Sequence, residues 1–164
     1  MALPKKTCFF ITPIGPEGSK VRNRSDWVLG YLLRPVLGAR YDLVRADQIS
    51  EPGSITVQIV KLLANADLTI ADLTGLNANV VYELGVRHTI NKPSIQLMDQ
   101  DEQLPFDLIG ERTIFFKHDD VKSLEKAKMD LKKAVQQTER DGFKCTSPIS
   151  RAIDIADLLD KSTD

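Results

Sequence analysis

The sequence predicts a doubly wound α/β domain whose five parallel strands lie in the order 2-1-3-4-5. Short apolar runs alternate with longer helical patterns, as expected when helices cover both faces of a parallel sheet. Turn-forming residues separate the runs, above all in the Pro- and Gly-rich loop after the first strand. The predicted strands are residues 7–11, 41–45, 68–71 with Asp72 at the end, 94–98 and 113–116.

Capping residues indicate where the predicted helices begin and end. Ser25 is placed to cap a first helix that Gly38 stops, and Ser54 is placed to cap a second. A third helix follows strand three and ends at Pro93, which cannot continue a helix. The remaining helical predictions are one turn at residues 105–109 and a long charged helix at residues 121–139.

Composition and charge are those of an average globular chain of 164 residues, of which 42% are hydrophobic and 27% charged. The net charge of -1 provides no overall field for nucleic acids or membranes, so we expect binding to neither. Cys8 and Cys145 have neither disulfide-framework nor metal-ligand spacing, which favours a reducing compartment. We therefore expect a cytoplasmic protein without a metal site.

The domain prediction divides the chain at residue 142. Residues 1–142 are assigned to the α/β domain, and residues 143–164 to a C-terminal tail with a short amphipathic helix at residues 150–159. The apolar face of that helix consists of Ala152, Ile155, Ala156 and Leu159. Because such a helix is marginal alone in water, we expect it to pack on its own domain or on a second copy, and we favour a homo-oligomer.

Residues 66–93 carry the strongest functional signal: a buried strand that ends on Asp72, a polar turn, and a helix with Glu83 in its first turns. In open α/β sheets, ligands bind outside the carboxyl ends of the strands, where this turn lies. The helix dipole is expected to keep Glu83 ionised. An ionised carboxylate beside a sugar can attack the anomeric carbon or stabilise an oxocarbenium-like transition state. The alternative is a dipole-favoured or capping glutamate.

The helix that carries Glu83 is expected to be largely buried. Its apolar residues, Val80, Val81, Leu84 and Val86, cover most of its sides. A charged group on such a helix needs a partner or a cleft. Gly85 costs the helix about 1 kcal/mol relative to Ala. We expect close packing or a close ligand approach at that position.

The turn before this helix supplies further polar candidates. Asp72 could bind ribose hydroxyls or orient another side chain, while turn chemistry or capping is an equally simple role for it. Thr74, Asn77 and Asn79 crowd the same turn, and we expect at least one of the two Asn to be the N-cap of the helix.

The loop after strand one is a candidate phosphate-binding segment. It begins with Thr12 and Pro13, and Gly15 lets the backbone approach a ligand. Arg22 and Arg24 follow, and arginine binds phosphate bidentately. The loop matches neither of the glycine-rich nucleotide-binding motifs, so neither a P-loop ATPase nor a dehydrogenase is indicated. A mobile surface loop with solvated charges is the alternative.

These segments resemble the nucleoside 2-deoxyribosyltransferase-like superfamily, and also bacterial TIR-like proteins with the same flavodoxin-like core. The similarity rests on D-L-T-G-x-N-x-N-V-x-Y-E-L-G-x-x-H followed by Lys-Pro, on the opening C-F-F-I-T-P-I-G, and on residues 45–47 and 104–107. It implies that Glu83 is the catalytic carboxylate and that Asp72 helps to hold the sugar or base. The predicted substrate-binding residues are Thr12, Pro13, Gly15, Arg22, Arg24, Asp47, Thr74, Asn77 and Asn79.

The resemblance implies an N-glycosidic bond hydrolase or transferase that acts on a nucleotide. A nucleoside monophosphate and NAD are the candidate substrates, and TIR-like relatives often act in bacterial anti-phage defence. No cofactor is required, since NAD enters only as a substrate. The alternative is a non-catalytic nucleotide-sensing or protein-interaction module, which Asn77 and Phe9 favour at positions where the transferases commonly carry Asp and Tyr. A response-regulator-like domain is disfavoured, because strand one ends without an acidic pair.

Overall fold

Five parallel strands form the centre of the molecule, in the predicted order 2-1-3-4-5. The computed structural model describes residues 4–153. The strands are β1 (Lys6–Ile11), β2 (Tyr41–Arg45), β3 (Leu68–Asp72), β4 (Ser94–Asp99) and β5 (Thr113–Phe116). The prediction of a doubly wound, flavodoxin-like sheet is therefore confirmed, and each strand lies within one residue of its predicted bounds.

Helices connect β1 to β2, β2 to β3 and β3 to β4, and two further helices follow β5. They are α1 (Lys20–Trp27), a π-helical segment (Val28–Leu33), α2 (Arg34–Leu37), α3 (Ile55–Asn65), α4 (Ala78–Ile90), α5 (Val121–Thr138) and α6 (Pro148–Ala152). Short 3-10 turns occupy Ala46–Gln48 and Phe106–Leu108. Within residues 4–153, no helix has the length and apolar character that crossing a membrane requires.

The sheet separates two hydrophobic cores, because successive side chains of a strand point to opposite faces. Phe10 and Ile70 pack on one face with the π-helical segment and α5, and we call this the α5 face. Phe9, Ala71 and Leu73 pack on the other with α3 and α4, and we call this the α4 face. A residue's position along its strand therefore decides which set of helices it meets.

The N-cap of the first helix lies six residues before the predicted cap at Ser25. Ser19 is the N-cap, and its Oγ accepts a hydrogen bond of 3.2 Å from the backbone N of Arg22. Ser25 is buried inside the helix, where its Oγ accepts from Arg45 at 2.9 Å. The prediction of a Ser25 cap is wrong because the first turns of the helix are polar and show no apolar periodicity. Arg22 and Arg24 thus lie on a helix, not in a loop.

The end of α4 and the tail also differ from prediction. Asn91 closes α4 in the left-handed conformation, with φ 57, so that the helix ends before Pro93. Helix α6 (Pro148–Ala152) begins two residues before the predicted start at Ser150, and residues 154–159 of that prediction lie outside the described residues. Ser147 caps it and donates to the backbone O of His88 at 2.9 Å, which docks this part of the tail on α4. Most of the predicted apolar stripe, residues 155–159, lies outside the described residues.

Candidate functional site

A cleft of about 190 Å³ lies at the carboxyl end of β1, between the following loop and the first half of α4. Its polar lining residues are Thr12, Asn77, Asn79 and Glu83. Apolar walls come from Pro13, Ile14, Ala46, Ile59 and Val80 together with the end of β1. The structure thus brings five predicted site residues, Thr12, Pro13, Asn77, Asn79 and Glu83, to one concave surface.

The Glu83 carboxyl is half-buried in this cleft, and burial raises its pKa from 4.5 to about 7. No ion pair with a described residue offsets that cost. The expectation that the helix dipole keeps Glu83 ionised is therefore wrong at neutral pH. The dipole contributes only about 0.3–1 kcal/mol and fades beyond the first turn, whereas one pKa unit corresponds to about 1.4 kcal/mol. Glu83 lies in the second turn of α4, so desolvation dominates.

Asn77 is the N-cap of α4, as predicted for one of the two Asn residues. Its Oδ1 accepts from the backbone N of Asn79 at 2.9 Å and of Val80 at 3.3 Å. The side-chain oxygen of Asn77 is therefore used by the helix, and its NH₂ group is left to meet a ligand. Asn79 is exposed and lines the same cleft.

Asp72 faces away from Glu83. It has the same alternation along β3 as Ile70, so its side chain lies on the α5 face. It is only 1% exposed, and its two oxygens accept from Arg24 Nε at 3.3 Å and from the backbone N of Thr74 at 3.1 Å. Asp72 ends β3 and Glu83 lies on the helix that follows, but the two side chains lie on opposite sides of the sheet.

Arg24 links the carboxyl ends of three strands. Its Nη2 donates to Thr74 Oγ1 at 2.8 Å, and its Nη1 lies 3.6 Å from Asp99 Oδ2 and 3.3 Å from His118 Nδ1. The guanidinium also lies over the ring of Phe116, 5.3 Å from its centre. Sequence reasoning missed Asp99 and His118 as partners of Arg24, although Asp99 ends β4 and His118 follows the end of β5, at the edge where sites form.

Arg22 belongs to a second ionic cluster, centred on Arg45. Arg45 is 3% exposed and binds both oxygens of Asp47, at 2.6 Å and 2.9 Å. Arg22 Nη2 lies 3.0 Å from Asp47 Oδ2, and its Nε lies 3.2 Å from Asp26 Oδ1. Hydrogen bonds from Arg45 hold the pKa of Asp47 and of Asp26 below its ordinary value. Two cations and two anions thus balance, and a phosphate would compete with the carboxylates for Arg22.

Two glycines of the candidate region, Gly15 and Gly85, differ in the space that a side chain would find there. A Cβ at Gly15 would lie 2.6 Å from Ser19 Oγ, so Gly15 allows the loop to approach the cap of α1. A Cβ at Gly85 would meet nothing within 4 Å. The prediction of close packing at Gly85 is therefore wrong.

Within residues 4–153, no group of three or more His, Cys, Asp or Glu side chains is arranged to hold a metal ion.

Solved structures similar to this chain include the following two. A 2-desoxiribosyltransferase from Leishmania mexicana has 17% identity and a TM-score of 0.45, over 61% of this chain and 67% of that one. A conserved protein from Enterococcus faecalis V583 has 17% identity and a TM-score of 0.52, over 82% of this chain and 99% of that one. The second similarity shows the fold alone, and the TM-score of the first is too low to support an argument. No protein-family model and no curated protein matches the chain.

Proposed function

We propose that this protein cleaves or transfers the N-glycosidic bond of a nucleoside or nucleotide, with Glu83 as the catalytic carboxylate. The observation that carries the proposal is a half-buried carboxyl with a pKa of about 7, in a cleft at the carboxyl end of β1. Shifted pKa values of this kind are typical of catalytic acids and bases. A nucleoside monophosphate and NAD are the candidate substrates. A role in anti-phage defence rests on the sequence resemblance alone.

The chemistry uses the ionised form of Glu83, which is half populated near pH 7. A carboxylate oxygen bonds to the anomeric carbon as the bond from that carbon to the base nitrogen breaks. The electron pair leaves with the base. A purine or pyrimidine leaves as an anion and takes a proton from water, whereas nicotinamide, which is cationic in NAD, leaves neutral. In hydrolysis, water next displaces the carboxylate from the sugar and releases one proton to the solvent. In transfer, the nitrogen of a second base does so.

The other residues that line the cleft would position the sugar. The NH₂ groups of Asn77 and Asn79 and the hydroxyl of Thr12 are donors or acceptors suited to ribose hydroxyls. The cavity is smaller than the roughly 300–1,000 Å³ of typical small-molecule sites. It therefore suits the sugar and its bond to the base, with the remainder of a nucleotide outside. Asp72 contributes to the site indirectly, because its carboxylate accepts a hydrogen bond from the backbone N of Thr74 in the turn that leads to α4.

The test is release of free base from a panel of NAD, deoxynucleoside monophosphates and nucleosides, followed by chromatography. We expect at least one substrate to yield base with the wild type and none with Glu83→Gln. A matched control is Glu17→Gln, which changes an exposed carboxylate in the loop after β1 and should retain activity. Equal base release by the Glu83→Gln variant and the wild type would exclude Glu83 as the catalytic group.

A non-catalytic nucleotide-binding module is the second candidate function, and the position of Asp72 favours it. Most glycosidases use a pair of carboxyl groups on either side of the scissile bond. Here Asp72 is paired with Arg24 on the α5 face, so Glu83 has no second carboxylate beside it among the described residues that line the cleft. Calorimetric binding of a nucleotide that is recovered intact after long incubation would support the module over the enzyme.

A homo-oligomer also stays a prediction. Apolar side chains exposed on the outer surfaces of α3 and α4 support it: Ile55, Val57, Val60, Val81 and Tyr82. Exposed apolar patches commonly mark contacts between proteins. The solution mass from light scattering, compared between the wild type and Tyr82→Lys, tests the prediction. A monomeric wild type would contradict it.

A further inference from the structure

A second cavity, of about 340 Å³, lies at the opposite edge of the sheet, near the amino ends of β4 and β5. Gln96 of β4 lines it, together with Glu111 and Arg112 from the turn before β5. The chain after α5 completes the walls with Lys144, Cys145 and Arg151. None of these residues has a part in the proposed glycosidic chemistry.

The Gln96 amide is an unsatisfied donor in this wall. The residue is 1% exposed, and its Oε1 accepts from Thr113 Oγ1 at 3.0 Å. Its Nε2 has no hydrogen-bond partner among residues 4–153. A buried donor without an acceptor is costly and rare, and an oxygen of a ligand in the adjoining cavity would satisfy it.

The charges around the cavity favour an anion. Arg151 is paired with Glu111. Arg112 and Lys144 are exposed at the cavity, and neither forms a salt bridge with any residue of the described part of the chain. Three cations therefore surround one carboxylate, and two of the three are left to neutralise a ligand.

We propose that this cavity binds a small oxyanion, a phosphate or a carboxylate. Gln96 Nε2 donates to one of its oxygens, and Arg112 and Lys144 neutralise its charge. The inference is independent of the proposed glycosidic function, because the two sites lie at opposite edges of the sheet.

Cys145 offers a direct reporter of occupancy. It lines the cavity, whereas Cys8 is fully buried, so a thiol reagent applied to the native protein should label Cys145 first. Inorganic phosphate and acetate, titrated separately at constant ionic strength, are the probes. We expect at least one of them to slow labelling with a saturable concentration dependence. A rate that is unaffected by both anions would overturn the proposal.

Two variants locate the protected site. Gln96→Met keeps the side-chain volume but removes the donor. It should weaken binding of the protecting anion by at least about tenfold. Arg112→Gln removes a surface charge without disturbing the core, and it should also weaken binding of that anion. Lys61→Gln, a change of an exposed lysine on α3, is the control and should leave the affinity unchanged. Protection that survives both Gln96→Met and Arg112→Gln would contradict the assigned site.

Acidic residues near the C-terminus require a separate test, because their carboxylates have the same chemistry as the proposed ligand and could compete with it for the cavity. In the full chain, Asp154→Asn and Asp157→Asn together should leave phosphate or acetate protection intact. If that double change speeds labelling while neither free anion affects it, the chain's own carboxylates occupy the cavity and a site for free anions is ruled out.

Discussion

The two carboxylates of the β3–α4 unit show what a partner does to a buried charge. Asp72 is almost completely buried, yet it meets Arg24 and the backbone of Thr74. Glu83 is less buried, but no described ion pair compensates it, and its pKa rises to about 7. Burial with a partner produces a structural ion pair, whereas burial without one produces a carboxyl that can exchange its proton near neutral pH.

The difference between these two carboxylates arises from which face of the sheet each one meets. The α5 face brings the polar first turns of α1 to the end of β3, and with them Arg24. The α4 face brings apolar side chains, such as Ile59 and Val80, around Glu83. The two sides of one sheet edge therefore provide opposite electrostatic surroundings.

The largest effect expected is on folding, from Asp72→Ala. It leaves Arg24 without its buried partner, and loss of one member of a buried pair costs about 3–5 kcal/mol. Since Arg24 keeps some solvent contact, we expect the free energy of unfolding to fall by about 3 kcal/mol, measured by urea denaturation. Asp42→Ala, an exposed change on β2, should alter it by less than about 0.5 kcal/mol. Loss of turnover with unchanged stability would instead indicate that Asp72 contacts the substrate.

The Glu83 side of the comparison is tested by Glu83→Gln, which should change chemistry without unfolding the protein. The amide keeps the volume of the side chain but cannot act as a nucleophile, so we expect turnover to fall at least about 100-fold. The free energy of unfolding should change by less than about 1 kcal/mol at about pH 4, where the Glu83 carboxyl is protonated in both the folded and the unfolded protein. Single-turnover base release and thermal melting, run on the same preparations, separate the two effects.

A smaller effect is expected for phosphate recognition at the arginines of α1. Removal of a charge-assisted contact costs roughly 1.5–3 kcal/mol. Arg22→Ala and Arg24→Ala should therefore weaken the binding of a nucleoside monophosphate far more than the binding of its parent nucleoside, in parallel calorimetric titrations. Lys20→Ala, an exposed change at the start of the same helix, is the control. Equal losses for nucleotide and nucleoside would indicate that the two arginines only hold their carboxylate partners.

The pH dependence of stability should carry the signature of Glu83. The folded protein binds the proton of this carboxyl more tightly than the unfolded chain, where its pKa has the ordinary value of 4.5. Raising the pH from about 4.5 to about 7 should therefore remove stability from the wild type but not from Glu83→Gln. The melting temperatures of the two proteins should coincide near about pH 4 and separate by about pH 8, with the Gln variant higher. Parallel curves over this range would contradict the raised pKa.

The smallest effect is expected for Gly85→Ala, two residues after Glu83. The added Cβ meets open space, and alanine favours a helix over glycine by up to about 1 kcal/mol. We expect a slightly higher melting temperature and unchanged base release. If activity falls while stability rises, that open space belongs to the substrate.

Much of this architecture was predictable because burial on both faces leaves continuous apolar runs in the sequence. The runs around Phe9 and Ile70 located their strands to within one residue. The start of α1 was not predictable in this way. Its first turns are polar, so the cap at Ser19 had no apolar pattern beside it.

The sequence by itself determined which segments form strands and placed Glu83 on the helix that follows β3. These are local properties, set by apolar periodicity and by turn residues close in the chain. Only the tertiary structure decided which groups Glu83 and Asp72 meet. Arg24 and Asp72 are 48 residues apart and pair because the sheet brings α1 against the end of β3. The pKa of Glu83 likewise depends on walls contributed by four separate segments, which no short pattern contains: residues 9–14, Ala46, Ile59 and residues 77–83.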